Sequence, residues 1–133
     1  MSGFAAAGHF LWVKKMENTI KEIKGYWIKP GKAPEKHRFL PSLANLNRDL
    51  DGQPEMLKVR LTSGKAIVIV DSMDSAMKGK DYNFTITVVP DNKKSWIDIT
   101  GDALIFGRDD DDNFTDVELT DKEIKELISH PYD

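Results

Sequence analysis

The densest group of acidic side chains lies near the carboxyl end of the chain. Clustered carboxylates can hold a hard cation, and on a projecting loop they can bind a basic surface of a partner protein. From residue 109 onward, ten acids stand against two lysines, about −8, so the preceding part carries about +5 of the net −3. The asymmetry predicts an acidic partner-binding surface formed by Asp109, Asp110, Asp111, Asp112 and Asp116.

The same stretch has part of the spacing of an EF-hand calcium loop. Asp109, Asp111 and Asn113 fit the first, third and fifth positions of that loop. The sixth position needs glycine for a sharp turn, and the twelfth needs a bidentate glutamate. These positions are occupied by Phe114 and Thr120. The pattern therefore predicts a charged turn and no dedicated metal site. We expect the acidic residues from Asp109 to Asp116 to have no structural role and to be free to bind a partner.

The sequence contains few of the residues that catalytic, metal-binding or phosphate-binding sites require. The chain has no cysteine, which excludes a thiolate nucleophile, a disulfide framework and a cysteine-based zinc site. Its three histidines lie far apart in sequence and form no metal-binding pair. The segment "TSGK" at residues 62–65 ends like a phosphate-binding loop but lacks the upstream glycine. We predict that the protein is not an enzyme and has no catalytic residues, no metal and no cofactor.

Basic and aromatic residues are interleaved near the amino end, within residues 21–39. Lysine and arginine neutralise phosphates and exposed rings stack on bases, so this composition suits single-stranded nucleic acid. Trp27 more often fills the core in a domain of this size, which weakens that interpretation. The alternative to the acidic surface is thus a nucleic-acid-binding surface formed by Lys24, Tyr26, Lys29, Lys32, Lys36 and Arg38.

Alternation and turn residues predict the elements that position these side chains in the first half of the chain. A strand over residues 22–29 and a second over 35–40 form a hairpin. Leucines at spacings of three and four predict a short helix between Ser42 and Gly52 that covers a sheet. Each of these segments ends at proline or glycine, the residues that most often interrupt regular structure.

The middle of the chain predicts further strands. Residues 55–61 and 65–71 form a strand pair. Residues 67–70 are apolar at every position, odd and even, as in a central strand buried on both faces. Residues 84–90 and 95–107 are also strand-like, the latter being one strand or two broken at its Gly-Asp pair. We expect both runs to join the same sheet.

The end of the chain carries a helix signal. Thr120 and Glu123 have the spacing of a capping box, which predicts a closing helix over residues 121–129. The predicted fold is α+β: a mostly antiparallel twisted sheet of about five to six strands, with a short helix on one face and a capped carboxyl-terminal helix. The 133 residues suit one domain. We assign residues 1–15 to an amino-terminal extension and residues 16–133 to a single α+β domain.

Apolar runs in the chain are short. A transmembrane helix needs about 18 or more consecutive apolar residues, and no run in this sequence approaches that length. The first residues place their lysines after an apolar stretch rather than before it, unlike a signal peptide. These features, and the absence of cysteine, favour a cytoplasmic protein without a membrane partner.

Four short motifs follow one another along the chain: Pro30-Gly31-Lys32, Gly101-Asp102, Ile105-Phe106-Gly107, and Thr120 to Ile124. In this order they resemble a small uncharacterised domain family of bacteriophage and mobile-element genomes, mainly of Gram-positive hosts. The resemblance extends over about residues 22–128 and implies a phage or plasmid origin and a compact α+β fold. It implies no catalytic residues.

These observations lead to one functional expectation and two alternatives. We expect a non-enzymatic interaction protein in the cytoplasm of a bacterial host, binding a host protein of the nucleic-acid-binding defence type, as an anti-CRISPR or anti-restriction protein does. An acidic surface can occupy a basic groove that normally holds nucleic-acid phosphates. The first alternative is an accessory protein that binds nucleic acid itself. A third, minor interpretation is an enzyme regulated by a divalent metal ion.

Overall fold

A computed structural model describes residues 21–61, 63–88, 95–128 and 130 of the chain. Within these ranges the chain forms eight strands and two helices. The strands are β1 (Ile23–Ile28), β2 (Glu35–Phe39), β3 (Pro54–Arg60), β4 (Ala66–Ser72), β5 (Tyr82–Val88), β6 (Ser95–Thr100), β7 (Ala103–Arg108) and β8 (Phe114–Thr115). The helices are α1 (Leu43–Leu50) and α2 (Asp121–Leu127). The proposed extension over residues 1–15 lies outside the described residues.

The predicted α+β class and the antiparallel sheet are confirmed. Six strands form one sheet in the order β2-β1-β7-β4-β3, with β8 paired to β7. Strand β4 is buried on both faces, as the unbroken apolar run predicted. It lies beside β7, which occupies the middle of the strand order.

The prediction that β5 and β6 join the main sheet was wrong. These two strands pair only with each other, as a two-stranded ribbon. The chain turns at Gly101, which has a positive φ of 70°, so β6 and β7 are two strands broken at the predicted Gly-Asp pair. The buried amide of Asn83 joins ribbon to sheet, donating to the carbonyl oxygens of Ile28 and Gly101 at 2.8 Å each.

Each face of the sheet is covered by a different element. On the face that we call the ribbon face, β5, β6 and α2 bury one set of alternate side chains of β1, β4 and β7. On the opposite face, the helix face, α1 covers the other set with Leu46 and Leu50. The sequence predicted α1 as a cover for the sheet, and its placement on the helix face agrees with that prediction.

Both helices begin at the predicted caps. The Ser42 hydroxyl accepts from the Asn45 amide at 3.1 Å at the start of α1. At α2, the Thr120 hydroxyl accepts from the Glu123 amide, and the Glu123 carboxylate accepts from the Thr120 amide, both at 3.1 Å. The capping box is therefore confirmed, and α2 ends at Leu127, two residues before the predicted end.

A fork in the sheet positions the acidic segment. Strand β1 pairs with β7 only over its residues Tyr26–Ile28. Beyond that point Gly107 of β7 pairs with Thr115 of β8, and the Lys24 amide of β1 donates to the Asp116 carboxylate at 2.8 Å. The two-residue strand β8 therefore lies between β1 and β7 at this end of the sheet.

Candidate functional site

The turn between β7 and β8, residues 109–113, is called the acidic turn below, and Asp109 organises it. One carboxylate oxygen of Asp109 accepts from the Asp111 amide at 2.9 Å and from the Asn113 amide at 2.8 Å. The other oxygen accepts from the Asn113 side-chain amide at 3.1 Å. The expectation that Asp109 has no structural role was wrong, because aspartate readily closes a turn by accepting from backbone amides.

Asp112 is held by cations at the base of the acidic turn. Its carboxylate accepts from Lys58 of β3 at 2.9 Å and from Arg108 at 3.5 Å. The hydrogen bond from Lys58 lowers the pKa of Asp112 below its usual value, and Arg108 acts in the same direction. These contacts across the end of the sheet pair one of the five carboxylates that the sequence had assigned to partner binding.

Asp116 is likewise part of the structure. Its bond to the Lys24 amide and the bond from the Val117 amide to the Lys24 carbonyl, at 3.0 Å, connect β1 to the segment after β8. These bonds satisfy backbone groups of β1 where β7 no longer reaches them. Asp116 therefore stabilises the fork.

Asp110 and Asp111 are the two predicted acidic residues whose carboxylates make no hydrogen bond or ion pair within the described chain, and both are exposed. They lie at the tip of a turn that Asp109 closes from within. A pair of carboxylates on an ordered turn meets a basic partner without first losing loop entropy. This tip is the part of the predicted acidic surface that keeps its charge available.

Replacing Asp109 with alanine should lower the free energy of unfolding by about 1–2 kcal/mol, because three hydrogen bonds to a carboxylate are lost at an exposed site. Urea denaturation measures the change. The matched control is Asp111→Ala, which should stay within about 0.5 kcal/mol of the unsubstituted protein. Equal effects of the two substitutions would contradict the organising role of Asp109.

The geometry around the acidic turn does not assemble a ligand set for a metal ion. Within the ranges that the structure describes, no three side chains of histidine, aspartate or glutamate come together as a candidate metal site. Both carboxylate oxygens of Asp109, the residue in the first position of the calcium-loop pattern, already accept from N–H groups of the turn.

The six residues of the nucleic-acid alternative do not form one surface. Lys24, Lys36 and Arg38 lie together on the ribbon-face side of the β1–β2 hairpin, where Lys24 is opposite Arg38. Lys29 instead pairs with Glu35 at 3.5 Å. It also lies over the ring of Trp27, at 5.1 Å. Lys32 is exposed in the turn that follows β1.

Tyr26 is placed in the core rather than on the surface. Its side chain is 3% exposed, and its hydroxyl donates to the Leu119 carbonyl oxygen at 3.3 Å. A ring that is enclosed in this way has no open face for a base, so the stacking assigned to Tyr26 was wrong. The nucleic-acid alternative stays a prediction and rests on phosphate contacts alone.

The sequence interpretation missed a pair of facing carboxyls in β3 and β4. Asp71 is 6% exposed and stands opposite Glu55. One carboxyl oxygen of Asp71 has no hydrogen-bond partner within the described chain. Burial, and then the neighbouring carboxylate of Glu55, raise the pKa of Asp71 to about 7. The sequence does contain a signal for this burial. Asp71 lies two residues after Ile69 in the same strand, so its side chain is on the same buried face.

None of the helices described by the structure combines the length and the apolar character needed to cross a membrane. Comparison of the chain with models of known protein families, with curated proteins and with solved structures gives no match.

Proposed function

We propose that this chain is a non-enzymatic interaction protein of phage or mobile-element origin that binds a host protein in the bacterial cytoplasm through the tip of the acidic turn. The observation that carries the proposal is the pair of exposed carboxylates, Asp110 and Asp111, on a turn closed by Asp109. Carboxylates held in place attract a basic surface and select it over an acidic one.

The class of partner follows from the chemistry of this tip. Two adjacent carboxylates on a narrow turn resemble consecutive phosphates in charge, and a groove that binds nucleic acid presents lysines and arginines at similar intervals. A defence nuclease of the CRISPR or restriction type has such a groove. Occupying the groove would exclude its nucleic acid, which makes inhibition of host defence the expected consequence.

Capture from a bacterial host lysate tests the proposal. The unsubstituted protein and an Asp110→Asn/Asp111→Asn variant serve as baits, and bound proteins are quantified by mass spectrometry. We expect at least one nucleic-acid-binding protein to be retained by the first bait and depleted about 5–30-fold on the second, as two lost ion pairs of about 0.5–1 kcal/mol each would produce.

The matched control is Asp81→Asn/Glu126→Gln, which removes the same charge from exposed positions away from the acidic turn. This control should retain the same proteins as the unsubstituted bait. A set of captured proteins that does not differ between the bait altered at the acidic turn and the control would overturn the role given to the tip.

A further inference from the structure

Among the residues that the structure describes, no strand pairs with the outer edge of β2. Within the described chain β2 is the terminal strand of the sheet and pairs with β1 alone. The side chains of Glu35 to Arg38 are exposed on both faces. The backbone N–H and C=O groups along the outer side of such a strand are available to another strand, which is the basis of peptide recognition by strand addition.

One side of this edge is basic. Lys36 and Arg38 lie on the ribbon-face side, with Lys24 of β1 directly opposite Arg38. Glu22 pairs with Arg38 at 3.1 Å, but both side chains are more than half exposed, which keeps this ion pair weak. A strand placed against β2 would bring its own side chains beside Lys36 and Arg38 at every second position.

A groove lies next to the ribbon-face side of the β2 edge. A cavity of about 390 Å³ opens between the hairpin and the segment before α2. Val117 and Leu119 line this cavity together with the basic residues Lys24, Lys36 and Arg38. The amino group of Lys36 lies 5.7 Å from the ring of Tyr26. The site therefore combines a cationic rim with apolar surface beneath it.

The other side of the edge is close to neutral. Glu35 lies 3.5 Å from Lys29 and 4.0 Å from His37. Charge selection at the edge must therefore come from the ribbon-face side, where basic residues predominate.

A second copy of the chain fits this edge poorly. Antiparallel self-pairing about a two-fold axis brings residues of equal parity opposite each other, because side chains of one face stay on that face. A register centred on Lys36 places it against Lys36 of the second copy. A register centred on His37 places Lys36 against Arg38 of that copy. Like charges opposite each other destabilise both arrangements.

We propose that the outer edge of β2 accepts an extended peptide segment of a partner protein whose alternate side chains are acidic. The peptide backbone would bond to the open edge, and its carboxylates would face Lys36 and Arg38. This surface is separate from the acidic turn, so the proposal does not depend on the function proposed above.

Two short synthetic peptides test the proposal against the full chain. In one, glutamate alternates with valine; in the other, lysine alternates with valine. We expect the glutamate peptide to bind about tenfold or more tightly than the lysine peptide. Its binding should slow hydrogen exchange at β2 amides, which a contact between charges alone would not do. The same peptide with N-methylated backbone amides should lose the binding.

Substitutions test whether the basic residues of the β2 edge cause the preference for the glutamate peptide. Lys36→Glu/Arg38→Glu should weaken the glutamate peptide about tenfold, whereas Lys122→Glu/Lys125→Glu, which makes the same charge change on exposed α2 positions, should not. Asp110→Asn/Asp111→Asn should also leave peptide binding unchanged, which separates this site from the acidic turn. Equal affinity for both peptides, or unprotected β2 amides, would overturn the proposal. Tighter binding of oligodeoxythymidylate at the same residues would overturn it in favour of nucleic acid.

Discussion

Replacing Asp71 with asparagine should stabilise the protein above pH 7 and remove a pH dependence of its stability. In the folded chain, burial and the facing Glu55 raise the pKa of Asp71 from 3.8 to about 7. Between these values the folded state keeps a proton that the unfolded state has released. The free energy of unfolding therefore falls as pH rises from about 4 to about 7 and levels off above that.

The expected size of the effect follows from the shift. About three pKa units correspond to up to about 4 kcal/mol of stability lost across that interval. Urea denaturation of both proteins at several pH values from 4.5 to 8 measures it, and the advantage of Asp71→Asn should grow with pH. Glu55→Gln is the companion variant. It should give a smaller gain, because burial is the larger cause of the shift. Parallel curves for the unsubstituted protein and Asp71→Asn would contradict the burial of an ionisable Asp71 carboxyl beside Glu55.

Replacing Gly107 with alanine should lower the free energy of unfolding by about 2–3 kcal/mol. A methyl group at this position would press on the Asp116 carbonyl oxygen and lie 2.6 Å from the Thr115 hydroxyl. The obstacle is mainly backbone, which cannot rotate aside as a flexible side chain would. The substitution should therefore force β8 away from β7 and open the fork.

Gly31 offers the matched control for Gly107. It has a positive φ of 71° and nothing within 4 Å of an added methyl group. Gly31→Ala should cost only the backbone strain, about 1 kcal/mol. Gly107 has no positive φ, so its larger cost would come from contact alone. If Gly107→Ala were as stable as the unsubstituted protein, β8 could not lie where the fork places it.

Features that depend on neighbouring residues could be predicted from the sequence. The capping box needs only Thr120 and Glu123 three residues apart, and both of its bonds are present. The apolar run of β4 predicted burial on both faces because no alternate position is polar between Ile67 and Val70.

Features that depend on distant pairing could not be predicted in this way. The strand-like runs of β5 and β6 show alternation, but alternation does not specify which strand lies beside them. Strand β8 has two residues, too few to show any period, and its position between β1 and β7 follows from contacts 92 residues apart along the chain, between Lys24 and Asp116.

At the candidate site, too, some features could be predicted from the sequence and others could not. The failure of the calcium-loop pattern at Phe114 was visible in the sequence, and Phe114 packs on Phe106, with ring centroids 5.1 Å apart. The sequence did not show which aspartates would be bound within the fold and which would stay available to a partner. Asp109, Asp112 and Asp116 have partners in the fold, and which carboxylates remain available depends on where Lys58 and Lys24 lie.

The most direct test of the account is the salt dependence of binding between the purified protein and a captured partner. Calorimetric titration at several salt concentrations should give an affinity that falls as salt rises. Asp110→Asn/Asp111→Asn should bind about 5–30-fold more weakly at low salt, with a shallower salt dependence. The same affinity and the same salt dependence for the two proteins would contradict the claim that the tip of the acidic turn is the binding surface.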